Sequence, residues 1–177
     1  MDADLLNIIS KIANSGLQDL GSLHPALVHF PIGLLFVTPL FVILGLILPK
    51  HKQCFHLSAL ILLIIGTITL LLAFEAGEKA ADALGKINPE TLATLKQHDK
   101  GAESLKLNFI ILTVCFTLYS FFHKSLKKLK QHFWIIASCL FLAFYGYSLI
   151  LVINTAHYGG KLVHQHGLKS SLYNNVK

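Results

Sequence analysis

Four long apolar runs constrain this chain more than any other feature of its sequence. A membrane-spanning helix needs about 20 mainly apolar residues, and four such runs occupy residues 31–48, 55–74, 107–122 and 133–153. The third is the shortest, and Lys106 and His123 at its ends can extend it by reaching the interface. Because lipid offers the main chain no hydrogen-bonding partner, each run must form a helix. The sequence therefore predicts an all-α membrane protein, a four-helix transmembrane bundle.

Composition supports a membrane protein and excludes one class of partner. The chain is 54% hydrophobic and 14% charged, whereas soluble domains carry about 25% charged residues. Its net charge of +6 comes from lysines, with no arginine. A nucleic-acid-binding protein gathers such charge on one folded basic face, but these lysines lie mostly in short connections. We therefore expect no nucleic-acid partner and a lipid bilayer environment.

The distribution of lysine predicts the orientation. The connections around 49–54 and 123–132 carry lysines and no acid, whereas the N-terminal tail and the connection at 75–106 hold the acidic residues. Basic connections stay in the cytoplasm. This predicts a multi-pass protein of the bacterial inner (plasma) membrane with both termini on the outer, periplasmic side. The C-terminal lysines argue weakly for the opposite orientation.

The chain divides into a transmembrane domain at 23–168, an N-terminal segment at 1–22 and a C-terminal tail at 169–177. In the N-terminal segment, Leu5, Ile8 and Ile12 fall on one helical face, which predicts a short amphipathic helix on the membrane surface before the first span. The residues that follow Pro89 predict another in the second connection.

Histidines concentrate at the predicted outer ends of the spans. Neutral imidazole is the commonest protein metal ligand and also binds haem iron. Six of the ten histidines fall on that side: His24, His29, His98, His157, His164 and His166. Taken alone, His29 is typical of an interfacial side chain bonded to a loop carbonyl, and His98 is typical of a solvent-exposed loop histidine. Their convergence from four segments predicts a redox or metal site below the outer membrane face.

The first hypothesis is b-type haem for electron transfer. Two histidines on different helices of a four-helix bundle can supply axial ligands. We favour His29, in the first turn of the first span, and His157, near the end of the fourth, with His98 and His164 as alternates. His24 precedes Pro25, is expected outside the helix and ranks below His29. Gly159-Gly160 is expected to end the fourth helix and turn the chain.

Two further hypotheses stay open. Glu75 or Glu78, at the predicted outer end of the second span, could form a non-haem site for a divalent metal such as iron or zinc. The imidazoles of that site would be His29, His98 and His157, with His24 and His166 as further ligands. Alternatively, the protein is a cofactor-free membrane anchor or assembly subunit. The sequence assigns no catalytic residue. If the protein is an enzyme, we expect it to act as a redox component. Whether it forms a homo-oligomer is left open.

Two end motifs resemble a bacterial membrane-protein family known only as a domain of unknown function. Its members open with H-P-x-x-V-H-F-P-I, matched by 24–32, and close with G-G-x-L-V-x-x-H-G, matched by 159–167. His164 stands where the family usually has tyrosine. The segment from Glu75 to Glu78 resembles the acidic E-A-x-E stretch of one subgroup of the family, and His98-Asp99 resembles the later histidine of that subgroup. Members occur beside or fused to c-type cytochrome domains, so the resemblance implies redox work at the outer face, with c-type cytochromes or other redox proteins as partners.

Overall fold

The computed structural model describes residues 20–122 and 131–168, with side chains described for 20–121 and 135–168. Its elements are helices, and the described residues contain no strand. A 3-10 turn at Leu20–Leu23 precedes α1 (His24–Leu27), and a second at Pro49–His51 follows α2. The remaining helices are α2 (His29–Ile47), α3 (Lys52–Asp82), α4 (Pro89–Phe122) and α5 (Gln131–His164).

The four predicted spans are confirmed as helices. Four helical segments are long and apolar enough to cross a membrane, with α1 and α2 forming the first of them. Three helices extend further than their apolar runs, because α3 continues to Asp82, α4 begins at Pro89 and α5 continues to His164. The amphipathic helix predicted after Pro89 forms, and it is continuous with the third span.

The expectation that Gly159-Gly160 ends the fourth helix is wrong. The helix continues through both glycines to His164, and the residue with left-handed backbone is Gly167, at φ 67°. Glycine lowers helix stability by about 1 kcal/mol relative to alanine, but here the surrounding bundle supports the helix. The predicted N-terminal amphipathic helix, the lysine-rich third connection and the C-terminal tail lie outside the described residues.

The bundle consists of two helical hairpins. α2 packs along α3, and α4 packs along α5. The hairpins meet where α3 contacts α4 and where α2 contacts α5. Leu35 and Leu63 of the first hairpin share one buried core with Phe109 and Tyr145 of the second.

A proline within α2 explains one bond between the hairpins. Pro39 has no N–H, so the carbonyl of Leu35, four residues earlier, lacks its helical donor. The Tyr145 hydroxyl on α5 donates to that carbonyl over 2.8 Å. Both residues are fully buried. The bond therefore gives the Leu35 carbonyl a donor that it would otherwise lack in an apolar interior.

Candidate functional site

His24 is the first residue of α1, with Pro25 in the first helical turn. The expectation that it lies outside the helix is therefore wrong. Its Nδ1 is 2.8 Å from the Ala73 carbonyl oxygen on α3. Its ring lies over Gly77, where a Cβ would come within 2.9 Å of the imidazole Cε1. Because glycine has no side chain, the ring can rest on the α3 backbone.

His98 is held in the same manner in the second hairpin. Its Nδ1 is 2.9 Å from the Thr155 carbonyl oxygen on α5. Its ring lies over Gly159, where a Cβ would be 3.1 Å from Cε1. In both hairpins the accepting residue precedes the glycine by one helical turn.

The two rings meet between the hairpins. Their centroids are 6.3 Å apart and their planes make an angle of 87°. Both side chains are partly buried. We call this arrangement of His24 and His98, with the carbonyls of Ala73 and Thr155, the paired-imidazole site.

The hydrogen bonds set which nitrogen of each neutral ring carries the proton. A carbonyl oxygen can only accept, so Nδ1 must carry the proton and donate it. In a neutral imidazole, Nε2 then keeps its lone pair. An Nδ1–H held by a main-chain carbonyl is a common second-sphere arrangement of metal-binding histidines, because it fixes both the tautomer and the ring orientation. The site therefore presents two oriented imidazoles in the ligand-competent form.

Each hairpin repeats the buried pattern of the other, which explains the symmetry of the site. His24, Pro31, Leu35, Thr38 and Val42 have the same spacing as His98, Leu105, Phe109, Leu112 and Phe116. Likewise, Leu63, Gly66, Ala73 and Gly77 on α3 have the spacing of Tyr145, Ser148, Thr155 and Gly159 on α5. This repeat is the signal that sequence reasoning missed, and it pairs His24 with His98.

The pair favoured from the sequence, His29 and His157, is not part of this arrangement. Both side chains are exposed, and the His157 ring lies 6.0 Å from Tyr158. Successive helical residues turn by about 100°, so His157, two positions after the buried Thr155, faces away from α4. His29 is also exposed. Val28 keeps helical backbone angles, so the five residues from His24 to His29, at about 100° each, turn His29 well away from the face that carries His24.

The two histidines near the end of α5, His164 and His166, have different surroundings. His164 is exposed. His166 folds back onto the first turns of α4, where its Nδ1 and Nε2 lie 3.1 Å and 3.0 Å from the hydroxyls of Thr91 and Thr94. His166 thus connects the residues that follow α5 to the first turns of α4.

The carboxylates proposed for a divalent metal are both exposed, Glu75 and Glu78 alike. Over residues 20–122 and 131–168, no three His, Cys, Asp or Glu side chains come together as a group that could hold an ion. The folded chain therefore brings two of the predicted ligands together, His24 and His98, and does not assemble the carboxylate set.

Four apolar helices of spanning length define a multi-pass integral membrane protein. The chain belongs to the family described as Predicted membrane protein (DUF2231), which matches residues 21–171. The match includes all four spans and both histidines of the site. No curated protein and no solved structure matches the chain.

Proposed function

We propose that the protein binds b-type haem through His24 and His98 and transfers electrons at the outer end of the bundle. The observation that carries the proposal is the pair of perpendicular imidazoles, one from each hairpin, each with its Nδ1 on a main-chain carbonyl. When bound, haem supplies a reversible one-electron change at its iron. This pair replaces His29 and His157 as the proposed axial ligands.

The donor set fits haem better than a protein-bound divalent ion. Six-coordinate haem needs only two axial ligands from the protein, whereas a structural zinc site needs four and a catalytic one needs three. The two ring centroids are 6.3 Å apart. His24 and His98 would hold the haem iron through the Nε2 lone pairs that the Nδ1 bonds leave free.

The chain itself performs three tasks in this proposal. The carbonyls of Ala73 and Thr155 hold the Nδ1 protons and orient both rings. Gly77 and Gly159 let those rings lie against the helix backbones. The apolar core below them, with Leu35 and neighbouring buried residues, excludes water from the inner side, which strengthens electrostatic control of a redox centre.

The setting of the site is part of the proposal. The lysine distribution supports a location on the outer, periplasmic side of a bacterial inner membrane, with both termini on that side. There the site would exchange electrons with redox proteins such as c-type cytochromes, as the family resemblance implies.

A reduced-minus-oxidised absorption spectrum tests this function. The full chain is expressed with haem precursor, purified in mild detergent and compared with four alanine variants. We expect a b-type α-band in the wild type, lost in His24→Ala and His98→Ala. His29→Ala and His157→Ala are the matched controls, because they remove exposed imidazoles and should retain the band.

Two outcomes would overturn the proposal. One is a featureless spectrum of the wild type, for which metal analysis of the same sample would separate a metal site from a bare anchor. The other is a band that survives in both His24→Ala and His98→Ala.

A further inference from the structure

The outward face of α5 differs from the outward faces of the other spans because it carries polar side chains. The exposed residues are apolar on α2 over 30–47, on α3 over 57–72 and on α4 over 107–121, with cysteine counted as a small hydrophobic residue. On α5, Tyr147 is exposed within the apolar run, and Asn154, the first residue after that run, is exposed as well. Neither side chain forms a hydrogen bond within the described part of the chain. At a lipid-facing position, such a group gains a partner when another helix packs against it.

The internal repeat shows that these polar side chains are particular to the second hairpin. The equivalent outward positions are apolar on α3 and partly polar on α5, as three pairs show: Ile65 and Tyr147, Ile68 and Ile150, Leu72 and Asn154. All of these side chains are exposed. The hairpin fold therefore does not require a hydroxyl or an amide at these positions.

The polar residues of α5 belong to a regular stripe. Spacings of four and three residues alternate along exposed positions, which we call the α5 stripe: Ile136, Leu140, Ala143, Tyr147, Ile150, Asn154 and His157. This period is that of the contact face of a left-handed coiled coil, the commonest packing of transmembrane helices. A single asparagine in such a face specifies the register and the number of helices. Beside the stripe, a Cβ at Gly146 would have no neighbour within 4 Å, which leaves space for another helix.

The chemistry of the stripe fits a second copy of this chain. Copies of one membrane protein insert in the same orientation, so in a two-fold dimer the two α5 helices are parallel. Each residue near the axis then meets its own counterpart at the same depth. The amide of Asn154, the hydroxyl of Tyr147 and the neutral imidazole of His157 each donate and accept hydrogen bonds. Each can therefore bond to an identical group, whereas a carboxylate or an ammonium would repel its counterpart.

We infer that the α5 stripe is the interface of a parallel homodimer, in which the Asn154 amides of the two copies bond to each other. The inference does not depend on which group binds at the paired-imidazole site. The carbonyl that holds His98 belongs to the next residue, Thr155. Each copy thus places its paired-imidazole site behind the helix that forms the interface.

The association is measured by Förster energy transfer between donor-labelled and acceptor-labelled full chains in lipid vesicles, as the ratio of protein to lipid falls. We expect Asn154→Leu, which introduces the residue type of Leu72, to weaken association about tenfold, because the amide pair is lost. Asn154→Gln keeps an amide and should retain most of the association. His29→Leu is the matched control, since it removes an exposed polar side chain from α2, and association should not change.

Cysteine cross-linking locates the interface. In a chain whose three cysteines are replaced by alanine, Ile150→Cys should form a disulfide-linked dimer in native membranes, because two residues at the axis lie within disulfide reach. Ile68→Cys, at the equivalent outward position of α3, is the control and should remain monomeric. The two isoleucines are 68% and 52% exposed, so access to the oxidant is similar.

Four outcomes would overturn the inference. Three of them are energy transfer absent at every ratio of protein to lipid, association unaffected by Asn154→Leu, and equal cross-linking at positions 150 and 68. The fourth is an Ile150→Cys product whose mass is not twice that of the chain, which would mean that a different protein covers the α5 stripe.

Discussion

The middle of the bundle and the end that carries the paired-imidazole site use the same kind of bond for different purposes. In the middle, the Tyr145 hydroxyl donates to the Leu35 carbonyl of the opposite hairpin. At the histidine end, the His24 and His98 rings donate to the carbonyls of Ala73 and Thr155. Tyrosine has one hydroxyl hydrogen, and this bond uses it. Imidazole has a second nitrogen, so the same bond leaves each ring able to bind something else.

The two regions also differ in whether the accepting carbonyl keeps its helical donor. Pro39 has no N–H for the Leu35 carbonyl, and the Tyr145 hydroxyl replaces that donor. Ala73 and Thr155 lie one turn before Gly77 and Gly159, which keep their N–H groups, so the histidine bonds add to an intact helix. In the middle the bond stabilises the bundle, whereas at the histidine end it also orients a ring whose second nitrogen stays free.

The largest expected effect comes from filling the space below one ring. Gly159→Leu places a side chain where a Cβ alone would be 3.1 Å from the His98 Cε1. We expect it to displace the ring and to weaken haem binding by about tenfold or more, since misplacing a ligand-orienting group costs about 10–100-fold in affinity. An absorption titration measures this.

The neighbouring Gly160→Leu is the control. A Cβ there has no neighbour within 4 Å, so haem affinity should stay within about twofold, while better helix propensity adds about 0.5–1 kcal/mol of stability. Equal effects of both substitutions would mean that the contact of the ring with the α5 backbone does not orient His98.

A smaller effect is expected in the middle of the bundle. Tyr145→Phe should lower the free energy of unfolding by about 1–2 kcal/mol, because the Leu35 carbonyl loses its donor in an apolar interior. Unfolding in mixed micelles with increasing SDS measures the change. Haem affinity should not change, because the bond lies away from the paired-imidazole site.

A double-mutant cycle with Pro39→Ala sharpens that test. Alanine restores an N–H for the Leu35 carbonyl, so Tyr145→Phe should cost less in the Pro39→Ala background than in the wild type. Equal costs in both backgrounds would show that the hydroxyl does not serve to replace the missing helical donor.

The smallest effect is expected for the hydroxyl pair between α3 and α4. The oxygens of Thr67 and Thr113 are 2.7 Å apart, and hydrogen bonds between transmembrane helices average about 0.6 kcal/mol. Thr67→Val and Thr113→Val should each lower stability by about that amount, and the double variant should lose little more. Losses above about 2 kcal/mol would show that the middle of the bundle depends on this pair more than on Tyr145.

The four spans could be predicted because hydropathy depends on composition over many residues, and the bilayer fixes the required length. The helix ends could not be predicted as well. Gly159-Gly160 is a common stop signal by local propensity, yet α5 passes through it because tertiary packing holds the helix. The continuity of α4 across its polar first turns has the same origin, since its partner α5 is equally long.

The sequence predicts that histidines gather at one end of the bundle, and the structure brings His24 and His98 together there. The favoured pair, His29 and His157, is not the one that meets. His24 and His29 lie in one short motif, and propensity places both near a helix start. The choice between them depends on which face of the helix meets α3, and that has no local signature. Spacing could have decided it, because only His24 has a counterpart at the same distance from the repeated buried residues of α4.

The arrangement of acceptors has a consequence for the order in which the chain is made. His24 can bond its carbonyl once α3 has formed, but His98 must wait for Thr155 and Gly159 on α5, which is synthesised after α4. A ribosome-bound or truncated chain that lacks α5 carries both imidazoles and orients only one. The pair is therefore complete only after the fourth span has inserted and packed on α4, so a cofactor that needs both rings would bind only after that step.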